Sequence, residues 1–214
     1  MKETVKNLLV VCAVSLLVAA TAQAAAISVT NGDFETDANN STTITGWTEV
    51  SGDTRTFRTG SPQTGIVIYV VGGDNTAFTV QNDLGTAIEA SKTYTISYDY
   101  GNADSTAPLT GTWTVEFGTL NGGTFTALAT DTNTVYKTNG NHLNFGSGDE
   151  VADSFQYVSG TSVSGDNLAI RASVDGGIEW MGFDNFTVDV VPEPATMSLL
   201  GIGGLLALVR RRRK

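Results

Sequence analysis

Strict alternation of apolar and polar side chains most limits the folds open to this chain. Tyr94, Ile96, Tyr98 and Tyr100 alternate with Thr93, Thr95, Ser97 and Asp99. Trp113, Val115 and Phe117 alternate with Thr112, Thr114 and Glu116, and Leu168, Ile170, Ala172 and Val174 with Ala169, Arg171 and Ser173. A period of two puts the apolar side chains of each run on one face of a strand. No 3.6-residue pattern persists between residues 26 and 191. Further strands are predicted at 66–71, 77–81, 124–131, 154–158 and 183–190. Between the runs lie turn clusters such as Asn121-Gly122-Gly123 and Gly165-Asp166-Asn167, whose residue types tolerate the positive φ of tight hairpins. One apolar and one polar face per strand calls for two sheets packed face to face. Residues 26–191 are therefore read as a single all-β domain, a β-sandwich or jelly roll.

The ends of the chain follow different rules. Lys2 and Lys6 precede an apolar run over residues 8–20. Its length suits the h-region of a signal peptide (~7–15 residues) and is too short to cross a bilayer. Ala22 and Ala24 supply small residues at the −3 and −1 positions of signal peptidase, so residues 1–24 are read as a signal helix cleaved after Ala24, with Ala26 the second choice. Cys12, the single cysteine, leaves with it.

At the other end, Pro192-Glu193-Pro194 leads into an apolar stretch over residues 195–209, followed by Arg210, Arg211, Arg212, Arg213 and Lys214. As a helix, residues 195–209 would span ~22 Å, short of the ~30 Å hydrocarbon core. Prolines block helical extension upstream, and the basic plug stays cytoplasmic. Such a segment halts in the membrane as a short transmembrane helix without anchoring firmly. Residues 192–214 resemble the PEP-CTERM sorting signal. That resemblance implies a Gram-negative bacterium, recognition of Pro192, Glu193 and Pro194 by exosortase, and stop-transfer by Arg210 to Lys214. It implies a protein exported across the inner membrane, held transiently, and released to the cell surface or extracellular matrix beside exopolysaccharide.

Charge is segregated in the same way. Residues 26–191 hold 20 acids against Arg55, Arg58, Lys92, Lys137 and Arg171, a net of −15. Such a surface repels phosphate backbones, which argues against nucleic-acid binding, and it tolerates cations.

A second resemblance concerns the middle domain. Asn31-Gly32-Asp33-Phe34-Glu35, followed by Thr45-Gly46-Trp47, looks like the first strand of galactose-binding-like jelly rolls. Residues 86–98 look like their loop and central strand, and residues 182–188 like their closing strand. Many carbohydrate-binding modules share that fold. The resemblance implies that the first and last strands pair. It also implies a structural calcium between them, held by the carboxylates of Glu35 and Asp184 and the main-chain carbonyl of Asp33. A hard cation wants oxygen ligands, and two carboxylates brought together repel unless neutralised. For sugar stacking the chain offers Trp47, Trp113, Trp180, Tyr69 and Tyr157. Trp113 and Trp180 lie in strand patterns and are read as core, Trp47 follows Gly46 at a first-strand corner and is read as packed too, and alanine at Trp47 and Tyr157 is the test.

Catalytic patterns are sparse. No Gly-x-Ser-x-Gly elbow occurs, no mature thiol remains, and His142 is the single histidine. Acids are too numerous for a glycosidase pair to be singled out. The domain is therefore read as non-catalytic. Two readings stay open: a module associated with exopolysaccharide, or an acidic matrix protein with no specific ligand. A glycan-active enzyme ranks behind both.

Overall fold

The structure, a computed structural model, describes residues 24–52, 54–60, 63–70, 77–102, 110–136, 151–175 and 181–192. Among the described residues eleven strands follow one another: β1 (Ala25–Ile27), β2 (Trp47–Ser51), β3 (Thr54–Gly60), β4 (Gln63–Val70), β5 (Phe78–Ala87), β6 (Lys92–Asn102), β7 (Thr110–Asn121), β8 (Thr124–Tyr136), β9 (Val151–Val158), β10 (Asn167–Val174) and β11 (Met181–Pro192). They build two sheets, one ordered β3-β4-β11-β6-β9 with β1 added on β11, the other β2-β5-β10-β7-β8. The pairings are antiparallel. The fold is the expected all-β sandwich. The predicted signal and transmembrane helices, with Ala22, Glu193, Pro194 and Arg210 to Lys214, lie outside the described residues, as do His142 and Trp180.

The alternating runs deliver the core. Tyr94, Ile96 and Tyr98 of β6 face Trp113, Val115 and Phe117 of β7 and Leu168, Ile170, Ala172 and Val174 of β10, all buried. Trp113 meets Tyr98 edge-on at 5.5 Å and Phe183 at 6.1 Å, geometries that suit the aromatic quadrupole. The buried Tyr98 hydroxyl donates to Asp131 at 2.8 Å, so its polar end is satisfied.

Two features depart from the sequence expectation. Residues 47–51 and 54–60 form strands that the alternation did not mark. And the Asn31–Glu35 motif is a turn, not the first strand: Asn31 and Phe34 take φ of 51° and 53°, which a strand cannot accommodate. The strand that pairs with the closing strand is β1, with Ala25 opposite Val190 and Ile27 opposite Val188.

Candidate functional site

The closing strand breaks its own alternation. Phe183 and Phe186 are both buried in the core, although three residues apart they should point to opposite faces. A bulge resolves this. The β11–β6 register slips between Asp184 and Thr187, and Asn185 takes up the extra residue at φ 54°, a conformation Asn tolerates better than most residues. The edge of β11 away from β6 is then shared. β4 covers Gly182 and Phe183, and β1 covers Val188 to Val190. At the bulge itself the Phe186 N–H donates to the Gly32 carbonyl at 2.9 Å.

That bond seats the 31–37 turn on the bulge. Gly32 is needed there, because a Cβ would run into the Phe186 carbonyl oxygen. The turn is held by its own side chains. Asn31 Nδ2 donates to Asp37 at 2.8 Å and to the Thr45 carbonyl at 3.1 Å, while Asn31 Oδ1 accepts from the Thr36 N–H at 3.1 Å. Asp37 accepts from the Thr45 hydroxyl at 2.7 Å. The Glu35 N–H donates to Asp33 Oδ1 at 3.3 Å. Beneath, Phe34, Trp47 and Phe186 cluster with centroids 5.1 to 6.2 Å apart.

Docking buries Asp184 to 8 % exposure. Desolvation pushes its carboxyl up to about 8. The hydrogen bond from the Asn185 N–H pulls the other way, and the charges of Asp99, Glu35 and Asp33 add to the rise. Asp33, Glu35 and Asp184, named together from the sequence, thus share one electrostatic neighbourhood. Asp99 joins them through the ladder: it pairs with Asp184 and accepts from Asn185 Nδ2 at 2.7 Å. Sequence reasoning missed Asp99. Its signal was an acid on the outward face of β6, but nothing local says which residue of β11 it opposes. Among the described residues no three carboxylate, imidazole or thiol groups form a ready-made metal cage, so a cation here would need main-chain oxygen as well.

The expected aromatic platforms sit apart. Trp47 starts β2, is 8 % exposed, and donates from Nε1 to the Asn31 carbonyl at 3.1 Å. Its ring packs in the core cluster, and its edge helps line a cleft of about 280 Å³ with Thr42, Thr43, Ile44, Thr48, Glu49 and Thr54. Glu49 Oε2 accepts from the Thr54 hydroxyl at 2.8 Å and its N–H at 3.1 Å. Tyr157, on β9 of the other sheet, is half-buried and stacks on Tyr94 at 6.3 Å. Trp113 is fully buried, as its strand position suggested. A further surface feature went unread. On the outer face of the five-stranded sheet, Arg171 donates to Gln81 at 2.8 Å and lies 4.0 Å over the Phe125 ring.

With this geometry in place, likeness to known proteins becomes informative at one end of the chain. Residues 190–214 match the PEP-CTERM protein-sorting motif.

The chain thus carries a PEP-CTERM tail, which marks an exported protein held transiently in the membrane for exosortase. No curated protein matches it in sequence. Among solved structures it is similar to the CBM22-1 xylan-binding domain from Paenibacillus barcinonensis Xyn10C, at 16% identity, TM-score 0.49, covering 80% of this chain and 98% of that one. It is also similar to TmCBM61 in complex with beta-1,4-galactotriose, at 15% identity, TM-score 0.45, covering 74% and 94%. A third likeness is to the enzymatically active domain of bacteriophage CBA120 tailspike protein 4, at 15% identity, TM-score 0.49, covering 75% of this chain and 21% of that one.

Proposed function

We propose that this is the precursor of a surface or matrix protein whose cargo is a non-catalytic β-sandwich associated with exopolysaccharide. The observation that carries the reading is the order of the chain: strand β11 passes straight into the sorting motif at residues 190–214. The sandwich is therefore what exosortase delivers, after signal peptidase acts near Ala24. Changing Pro192, Glu193 and Pro194 to alanine is expected to leave a membrane-bound, unprocessed precursor. Normal release of that variant would refute the sorting step.

For the sandwich itself, a glycan array on residues 25–191 separates the readings. Exopolysaccharide association predicts saccharide binding that Tyr157→Ala weakens, with no turnover of the bound sugar. The acidic matrix alternative, favoured by the net charge of −15 over residues 26–191, predicts an array without hits.

A structural calcium belongs to the same proposal. The residues suit it: an all-oxygen donor set, with an Asp184 carboxyl that burial first, and surrounding negative charge after it, make costly to ionise. Asp184 and Glu35 would hold the ion with the Asp33 carbonyl. The ion would supply neutralisation and would pin the 31–37 turn to the bulge.

A further inference from the structure

Two threonines of β3, Thr54 and Thr56, are buried at 1 % and 0 % exposure. A buried hydroxyl needs partners, and each of these finds them in a segment that leads to the cleft beside Trp47. Thr54 holds Glu49: its hydroxyl and its N–H both donate to Glu49 Oε2, at 2.8 and 3.1 Å. Thr56 holds the loop before Thr42. Its hydroxyl donates to the Ala38 carbonyl at 2.6 Å and accepts from the Ser41 N–H at 3.0 Å. Main-chain bonds between Thr56 and Asn40 and Ser41 complete the clamp, and the Ser41 hydroxyl donates to the Thr43 carbonyl at 2.6 Å. Ile44 and Trp47 follow across a turn, closed by the Trp47 N–H on the Ile44 carbonyl at 3.0 Å, with Gly46 at φ 80°.

The cleft so framed is amphipathic. Four of its seven lining residues are threonines, Glu49 adds a carboxylate, and Ile44 and Trp47 add apolar surface. Among the described residues that line it there is no cation. β2 and β3 are end strands of their sheets, so the cleft lies at the margin of the sandwich. Its volume of about 280 Å³ stands at the low end of small-ligand sites, ~300–1,000 Å³. That is room for one ring and too little for a stretch of peptide.

We propose that this cleft binds one neutral hexose ring of a polysaccharide. The proposal rests on the exopolysaccharide reading above and gives it a site. The ring's hydroxyls donate to Glu49 and exchange hydrogen bonds with the threonines, while its C–H surface lies toward Ile44 and the Trp47 edge. A carboxylate makes the stronger, charge-assisted kind of hydrogen bond. Because Thr54 already fixes Glu49, little ordering is left for the ligand to drive. An acidic sugar is rejected by Glu49 at close range and by the net −15 of residues 26–191 at long range.

The test is saturation-transfer NMR on the full-length chain in a detergent without a sugar headgroup. The probes are the methyl glycosides of glucose, galactose and mannose, with glucuronic acid as the charged counterpart. At least one neutral ring is expected to bind, and glucuronic acid several-fold more weakly. Glu49→Gln keeps an oxygen for Thr54 and is expected to weaken binding about tenfold, the scale of one hydrogen bond to a charged group. Thr48→Phe, at an exposed position of β2, fills the cleft and is expected to abolish binding. Thermal melts of both variants show that the domain still folds. Neutral-ring binding that is unchanged in either variant, or glucuronic acid bound as well as the neutral rings, overturns the site. Were no ring bound while the glycan array gave hits, the cleft would fail and the exopolysaccharide reading would stand. Were the array empty too, both would fail.

Discussion

Asp184 shows how one side chain can make stability depend on conditions. Its carboxyl ionises near 3.8 when exposed and is pushed up to about 8 in the fold. Between those values the folded state holds a proton that the unfolded chain has released. The contribution to stability is therefore full below about pH 4 and is lost as pH rises through 8. Without a cation the domain should melt lower at pH 8 than at pH 5. Asp184→Asn keeps an oxygen for the Asn185 N–H and removes the charge. It is expected to flatten that part of the pH profile and to raise the melting temperature in chelator at pH 8. It should also abolish any rise on adding calcium. A calcium response that survives in Asp184→Asn would place the ion elsewhere. Thermal melts in chelator and in calcium at both pH values measure all of this.

Among the elements, the bulge in β11 organises the rest. It brings Phe183 and Phe186 to the same face, opens one N–H for Gly32, and leaves Asn185 at positive φ. Substitutions at two positions separate its parts. Asn185→Val puts a β-branched side chain in the left-handed region and loses the bond to Asp99. It is expected to cost about 1–3 kcal/mol, whereas Asn185→Gly should cost clearly less. Gly32→Ala forces the turn off the bulge, because the new Cβ meets the Phe186 carbonyl. A loss of about 1–3 kcal/mol is expected, with a weakened calcium response. Urea unfolding of the three variants checks the order. If Asn185→Gly were as damaging as Asn185→Val, backbone conformation would not be the reason Asn stands there.

At the scale of the whole molecule, charge and topology dominate. A net −15 over residues 26–191 makes the compact state repel itself, and salt screens exposed charges over a Debye length of about 10 Å at 0.1 M. Raising sodium chloride from a few millimolar to physiological strength is expected to raise the melting temperature by several degrees. Asp184→Asn should respond in the same way, because the effect belongs to the surface and not to one site. A flat salt profile would mean that the acids are already locally compensated. Topology adds a kinetic consequence. β1 and β11 stand at opposite ends of the domain and must pair, and contacts so distant in sequence form slowly.

The faces of β6, β7 and β10 could be read directly from the chain, because inward and outward positions in a strand alternate by local geometry alone. The C-terminal sorting signal was equally legible, since membrane partition depends on a segment's own length, apolarity and charge. Asp33, Glu35 and Asp184 were also named, though from likeness to a known pattern, and the placement of Asp33 in a first strand was mistaken because two residues of its motif adopt positive φ. The tertiary structure alone decided three things. Phe183 and Phe186 share a face, which requires knowing that one core receives both. Asp99 stands opposite Asp184, which depends on ladder register. Phe34 and Phe186, from distant segments, are the rings that cover Trp47. Each is a relation between residues far apart in sequence, and short-range periodicity carries no information about such pairs.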